Sequence, residues 1–321
     1  MESPTIESIV IRLVTDKPVQ KTPYQVKGVF MRRFPQEKIV PFLDGKLRNT
    51  YLYPRVQVKI LNEQIYIIGI KEGVSPVLAL VDNIKSINFG NITINIEKFD
   101  IEKNKNQLNV TDNFLRYNFI TPWVALNKST GGKYRFLTDQ EKPLFLNKLL
   151  GQNILFIAKE VGLDIETKIF TKVSINNLSP DKIDENGWGA FSGEFRTNFI
   201  LPSYIGLGNG ITRGFGTLFS LNNPDSLKTE ASKDKIEDYE EEEINEKDEA
   251  ITFVTIEDVP VINKRKNHKK RYSNHKKKKK GKYHRLNKNR NDVKNNRDNA
   301  KETDDDSRFN SAEYHQKQHD F

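Results

Sequence analysis

The chain has 321 residues, 52 lysines and arginines against 43 aspartates and glutamates (net +9), and no cysteine. The missing cysteine excludes a disulfide framework, a thiolate nucleophile and cysteine-ligated zinc or iron–sulfur centres. No apolar run approaches the ~18 residues of a membrane span, and MESPTIESIV lacks the segments of a secretion signal, so a soluble, cytoplasmic protein without a membrane partner is expected.

In chain order, ESIVIRLVTD alternates as a strand with Ile9, Ile11 and Leu13 on one face. YQVKGVFMRRF reads as a helix stopped by Pro35. YPRVQVKI and QIYIIGI are two strands joined by LNE. Ser75-Pro76 reads as a cap and a first-turn proline opening a helix through VLALVDNI. INFGNITINIEKFDI supplies one or two further strands. This order, strand, helix, two strands, helix, strand, is the split βαβ, ferredoxin-like unit.

The second half repeats the theme. RYNFITPWVALN is strand-like, and Thr138 and Glu141 have the spacing of a capping box. Leu146, Leu149, Leu150, Ile154, Ile157 and Val161 then recur at helical spacing until Gly162. TKIFTKVSIN, WGAFSGEFRTNFIL and GTLFSL follow as strands, and both tryptophans, Trp123 and Trp188, read as core. The expected fold is α+β, with two tandem ferredoxin-like (RRM-like) domains over residues 1–112 and 113–224.

Residues 225–321 read as a disordered, acidic-then-basic tail, in which only ITFV and VPVI are apolar. Glu230–Asp258 has 13 acidic and 3 basic residues, whereas Lys264–Arg290 has 15 basic and no acidic ones. The tail sums to 24 basic and 22 acidic residues, or +2, which leaves +7 of the total +9 on the folded part. That excess suits a polyanionic partner, and the lysine-rich run reads as a non-specific nucleic-acid arm.

YIGLGNGITRGFGTLF (Tyr204–Phe219) holds five glycines beside Arg213. Its spacing is not the dinucleotide fingerprint, a strand rather than a helix follows it, and no Gly-Lys-Ser or Gly-Lys-Thr is present, which excludes both common nucleotide loops. Two readings stay open: a tight connection, or a row of unencumbered N–H groups facing a phosphate chain. Tyr204 reads as packing under this loop.

Several stretches together carry a resemblance. Gly206-Leu-Gly-Asn-Gly-Ile-Thr-Arg-Gly-Phe-Gly216, Lys27-Gly-Val-Phe-Met-Arg-Arg-Phe-Pro35, Tyr53-Pro-Arg-Val-Gln-Val-Lys59, Ile67-Ile-Gly-Ile-Lys-Glu-Gly73, Trp123-Val-Ala-Leu-Asn127 and Phe195-Arg-Thr-Asn198 resemble the CRISPR-associated endoribonucleases that cut precursor CRISPR RNA, in their subtype b branch. The resemblance spans most of residues 24–220 and omits the tail. It implies a tandem ferredoxin-like fold, CRISPR repeat RNA as partner, and metal-independent cleavage with no cofactor. The ribose 2′-hydroxyl attacks the adjacent phosphate, leaving a 2′,3′-cyclic phosphate and a 5′-hydroxyl. Such a protein acts alone, as a homodimer on RNA, or within an effector complex.

The resemblance implies one or two histidines between the first helix and the Tyr-Pro strand, and the corresponding stretch, Gln36–Thr50, has none. All five histidines (His268, His275, His284, His315 and His319) lie in the tail, and Asn209 stands where the branch usually has lysine. Lys46, Arg48 and Tyr51 are the candidates for charge stabilisation and proton transfer in its place; alternatively, Lys46 and Arg48 merely solvate a loop. The expected RNA contacts are Arg32 and Arg33, the alternating face Arg55, Gln57 and Lys59, and the loop residues Gly206, Gly208, Asn209, Gly210, Thr212, Arg213, Gly214 and Gly216. No metal ligands are expected. Loss of the histidine leaves two readings, a retained endoribonuclease or an inactive repeat-RNA-binding protein.

Overall fold

The computed structural model describes residues 6–105, 107–183, 189–221, 242–245 and 247–260. Its first half runs β1 (Ser8–Thr15), α1 (Pro23–Arg33), α2 (Val40–Leu43), β2 (Val56–Leu61), β3 (Gln64–Ile70), α3 (Val74–Asn83), β4 (Ser86–Asn88) and β5 (Thr93–Asn104). The strands form an antiparallel sheet in the order β2-β3-β1-β5-β4. With the β4 hairpin set aside, this is the strand order of a ferredoxin-like unit.

Local chemistry sets most element ends. Helix α1 opens on a capping box between Thr22 and Gln25 with Pro23 in its first turn, and it stops at Phe34, before Pro35. The expected Ser75 cap is corrected: Gly73 caps α3, because a 3₁₀ turn (Lys71–Gly73) runs straight into the helix. Pro76 is tolerated in the first turn, where its missing N–H would have had no intrahelical partner.

One face of this sheet packs Ile9, Ile11, Leu13, Val56, Val58, Ile65 and Ile67 against Val26, Val29 and Phe30 of α1 and Val77 and Leu80 of α3. The opposite face, with Val10, Leu61, Tyr66, Ile68 and Ile70, joins the core of the second half. Strands β1, β2 and β3 are therefore buried on both sides, whereas much of β5 is exposed.

The second half runs β6 (Val110–Phe119), β7 (Trp123–Leu126), α4 (Lys128–Tyr134), α5 (Glu141–Glu160), β8 (Ile169–Ile175), β9 (Asp181–Lys182), β10 (Gly189–Phe191), β11 (Gly193–Phe199), β12 (Leu218–Ser220), β13 (Glu242–Glu243) and β14 (Thr252–Val254). Its main sheet is ordered β12-β6-β11-β8-β14, with β13 against β6, and β7-β10-β9 form a smaller one. The run β12-β6-β11-β8 repeats the ferredoxin order. Where a ferredoxin-like unit has its second helix, between β11 and β12, residues 200–217 hold a single 3₁₀ turn (Ile211–Arg213). Gln140 rather than Thr138 precedes α5, though the Glu141 carboxylate still accepts the Thr138 amide at 2.8 Å. Gly162 ends α5 at φ 82°.

The expectation of a disordered tail is corrected at two places. Glu242 and Glu243 pair with Phe114 and Asn113 of β6, and residues 247–260 dock on the second half. Thr252, Phe253 and Val254 pair with Thr171, Phe170 and Ile169 of β8. Val254 is buried over Gly151, where a Cβ would lie 2.3 Å from its Cγ2. Asn147 donates to the Ala250 carbonyl at 2.9 Å, Gln152 donates to the Asp258 carbonyl at 2.7 Å, and Lys148 pairs with Asp258 at 2.9 Å. The apolar ITFV thus completes a sheet edge that would otherwise be open. Trp188, the five histidines and the Lys264–Arg290 run lie outside the described residues.

Candidate nucleic-acid interface

The loop that stands in for the missing helix is pinned from several sides. Tyr204 enters it in the left-handed region (φ 69°) and is buried, its ring 4.9 Å from that of Tyr66. The Leu207 amide donates to the Gly216 carbonyl and the Gly216 amide to the Pro122 carbonyl, both at 2.9 Å. Asn209 donates to the Val124 carbonyl with its backbone amide at 2.9 Å and its side chain at 3.0 Å. Its amide group therefore stitches the loop to β7 instead of facing outward.

Two glycines show why the stretch is so rich in them. A Cβ on Gly216 (φ 63°) would sit 1.9 Å from the Leu207 carbonyl oxygen. On Gly208 (φ 80°) it would sit 2.7 Å from Trp123 Nε1. Both positions combine a left-handed backbone with no room for a side chain. Much of the glycine content thus serves the tight connection.

Strand β2 supplies the opposing wall. The period-2 reading of Arg55, Gln57 and Lys59 is right about the shared face and wrong about what it meets: all three are buried against the second half. They cannot form an open sheet surface for RNA. Gln57 Oε1 accepts the Gly206 amide at 2.9 Å, its Nε2 donates to the Tyr53 hydroxyl at 2.9 Å, and that hydroxyl donates to the Gly206 carbonyl at 3.0 Å. Lys59 donates to the Ile211 carbonyl at 3.2 Å. Lys27 of α1, a residue sequence reasoning passed over, donates to the Thr212 carbonyl at 2.8 Å.

Arg55 serves a second clasp. Its guanidinium donates to the Glu160 carbonyl at the C-terminus of α5, to the Tyr53 carbonyl at 3.2 Å and to the Glu72 carboxylate at 2.7 Å. Lys71 donates to the Val161 carbonyl at 2.7 Å, and the Glu160 carboxylate takes the Leu52 amide at 2.9 Å. Two cations at the last carbonyls of α5 also favour its dipole.

Electrostatically, the two buried lysines stand out. Burial pulls the Lys27 ammonium down to about 7, and burial together with repulsion from Lys27 does the same to Lys59. Neither forms an ion pair with a carboxylate among the described residues. In the same turn, the amides of Gly210, Ile211 and Thr212 have no hydrogen-bond partner among the described residues. Arg213 holds its guanidinium 5.2 Å from the Phe215 ring, and Gly210, Thr212 and Gly214 are half-exposed.

The remaining predicted residues are scattered more widely. Arg32 and Arg33 are exposed in the last turn of α1, where Arg33 donates to the Ser86 carbonyl at 3.2 Å. Lys46 is exposed and pairs with Asp44 at 3.1 Å, and Arg48 is half-buried in the same turn. Tyr51 stacks on Phe42 at 6.0 Å and lies under the Arg55 guanidinium at 4.8 Å, which brings it beside the α5 clasp. No group of three or more histidine, cysteine, aspartate or glutamate side chains that could hold a metal occurs among the described residues.

With this arrangement established, comparison with known proteins is direct. Residues 4–107 match the Cas6b N-terminal domain and residues 109–221 the Cas6b C-terminal domain. An uncharacterized protein of Methanocaldococcus jannaschii is 32% identical over 115 residues, which cover 36% of this chain and 78% of that protein. A crystal structure of Cas6b superposes with a TM-score of 0.56 at 28% identity, over 68% of this chain and 100% of that one. A second, described as the CRISPR RNA processing endoribonuclease Cas6b, gives 0.51 at 26% identity over 68% and 100%. The chain belongs to the Cas6 family, in its Cas6b branch.

Proposed function

We propose that this protein binds CRISPR repeat RNA across the outer face of the Gly210–Gly214 turn and cleaves it without a metal. The supporting observation is the hydrogen bonding of that turn: the Ile211 and Thr212 carbonyls accept from buried lysines, whereas the amides of Gly210, Ile211 and Thr212 have no partner among the described residues. Amides of that kind suit a phosphate oxygen and carry no sequence information, so base reading falls to other contacts.

In this reading the 2′-hydroxyl oxygen attacks the neighbouring phosphorus, its proton passes to a base, and the 5′-oxygen leaves with a proton from an acid. Lys46 and Arg48 stabilise the phosphorane charge, and Tyr51 transfers protons. Arg32 and Arg33 extend the phosphate track along the end of α1. The test is a cleavage assay in EDTA on the host's repeat RNA, with a 2′-deoxy substitution at each candidate position. One product ending in a cyclic phosphate, abolished by a single deoxy position and lost in Lys46→Ala, Arg48→Ala or Tyr51→Phe, supports the reading.

A second reading has its own observation. Residues 1–262 contain no histidine, whereas the resemblance implies one or two between the first helix and the Tyr-Pro strand. If repeat RNA binds tightly, Arg213→Ala releases it, and no cut appears, the protein is a repeat-RNA holder.

A further inference from the structure

We propose that Lys27 and Lys59 are a positioning pair for this site: their buried ammonium groups supply, from behind the Ile211–Arg213 turn, the positive charge that an RNA phosphodiester on its front completes. The inference rests on the RNA-binding reading and deepens it, naming the residues that make phosphate the ligand of this turn.

Both lysines are buried, and both spend their donors on carbonyls of one loop: Lys27 on Thr212 at 2.8 Å, Lys59 on Ile211 at 3.2 Å and Phe215 at 3.5 Å. A buried cation is costly unless a counter-charge accompanies it. Among the described residues, the charged and titratable groups around the pair do not provide one. Helix α1 presents Tyr24, its ring 4.0 Å from Lys27 Nζ, and Tyr53 reaches the Gly206 carbonyl beside Lys59; Arg55 is engaged elsewhere, with Glu72 and the end of α5, and Arg213 lies against Phe215. Protonated together, the two would share one small volume with no carboxylate partner among the described residues, and Lys27 makes Lys59 harder to keep protonated.

A phosphate on the Gly210–Thr212 amides would supply the missing negative charge. Hydrogen bonding to carbonyls alone does not require a cation, because a neutral amine also donates. What the ammonium adds is the field behind the turn, which is felt through a poorly solvated layer of protein. RNA and protons therefore bind with positive linkage: phosphate raises the affinity of the lysines for protons, and protonation raises the affinity for phosphate.

The experiment measures the affinity of the full-length protein for uncut host repeat RNA from pH 6 to pH 9 at fixed ionic strength. Calorimetry at pH 8 in two buffers of different ionisation heat reports proton uptake, above the usual range of the tail histidines. The wild type should lose about tenfold in affinity between pH 7 and pH 8.5 and take up protons on binding. Lys27→Met/Lys59→Met should bind weakly, with a flat profile. Tight wild-type binding that stays flat from pH 7 to pH 9, or an unchanged profile in the double variant, overturns the inference while RNA binding stands. Absence of binding at pH 6 overturns both. If the double variant does not fold, lysine ¹³Cε titration of the wild type decides: two signals moving near neutrality support the pair, and titration of every lysine above pH 10 removes it.

Discussion

Gln57 accepts the amide hydrogen of Gly206 at 2.9 Å, across the boundary between the two ferredoxin-like halves and 149 positions along the chain. With Tyr53 it closes a ring of hydrogen bonds that leaves no polar atom of Gly206 unpaired. Gln57→Leu orphans the Gly206 amide in a dry interface and should cost about 2–3 kcal/mol. Urea denaturation checks this; a loss below about 0.5 kcal/mol would mean that water replaces the glutamine.

Glycine substitutions separate the requirements of the loop from those of composition. Gly216→Ala places a methyl 1.9 Å from the Leu207 carbonyl oxygen at φ 63°, whereas at Gly132, in α4, nothing lies within 4 Å of an added Cβ. Gly216→Ala should cost well over about 1 kcal/mol and weaken repeat-RNA binding at least tenfold. Gly132→Ala should gain up to about 1 kcal/mol, the helix preference for alanine. Equal melting temperatures for the two variants would contradict the packing described for the loop.

Arg55 is a structural residue in this fold. Arg55→Met removes its bonds to the Glu160 carbonyl and the Glu72 carboxylate. Glu72 is partly exposed, so its lost partner is replaced in part by water, and the expected cost is about 2 kcal/mol. Affinity for RNA, measured well below the melting temperature, should be unchanged. A tenfold loss of affinity with unaltered melting would place Arg55 on the RNA after all.

The docked segment makes a separate prediction. Val254→Asp puts a carboxylate against Gly151 in a site that is fully buried, and should cost about 3 kcal/mol. Hydrogen exchange should show β8 amides losing protection in that variant. Unchanged exchange would mean that β14 contributes nothing to the sheet.

The lysine pair also fixes the pH dependence of the free protein. Each lysine, at about 7 in the fold, returns to about 10.4 when unfolded, so between these values the unfolded chain holds more protons. Stability therefore rises with pH above 7, by up to about 1.4 kcal/mol per lysine per pH unit. This is opposite to the trend expected for RNA affinity. Thermal melts from pH 7 to pH 9 should rise in the wild type relative to Lys27→Met/Lys59→Met; parallel curves would mean that burial does not lower the proton affinity of the two lysines.

The elements themselves were legible because their signals are local. Alternation in ESIVIRLVTD, the proline after α1, the helical spacing from Leu146 to Val161 and Gly162 at its end each act within a few residues, and the two repeats of one strand order follow from their sequence. Even ITFV announced itself as the apolar exception in a charged tail. What no local pattern encodes is the occupant of a face. Arg55, Gln57 and Lys59 read identically whether they meet water, RNA or another sheet, because a period of two says only that they share a side. Folding decided it by bringing the glycine loop and the end of α5 over β2. For the same reason Lys27, one polar residue in an amphipathic helix, gave no sign that it would end buried beside Lys59. The sequence alone determined the two ferredoxin-like units and a need for backbone freedom near residue 210. Tertiary structure alone decided that this freedom seats a loop on two buried cations, because the charge and volume that matter there come from segments far apart in the chain.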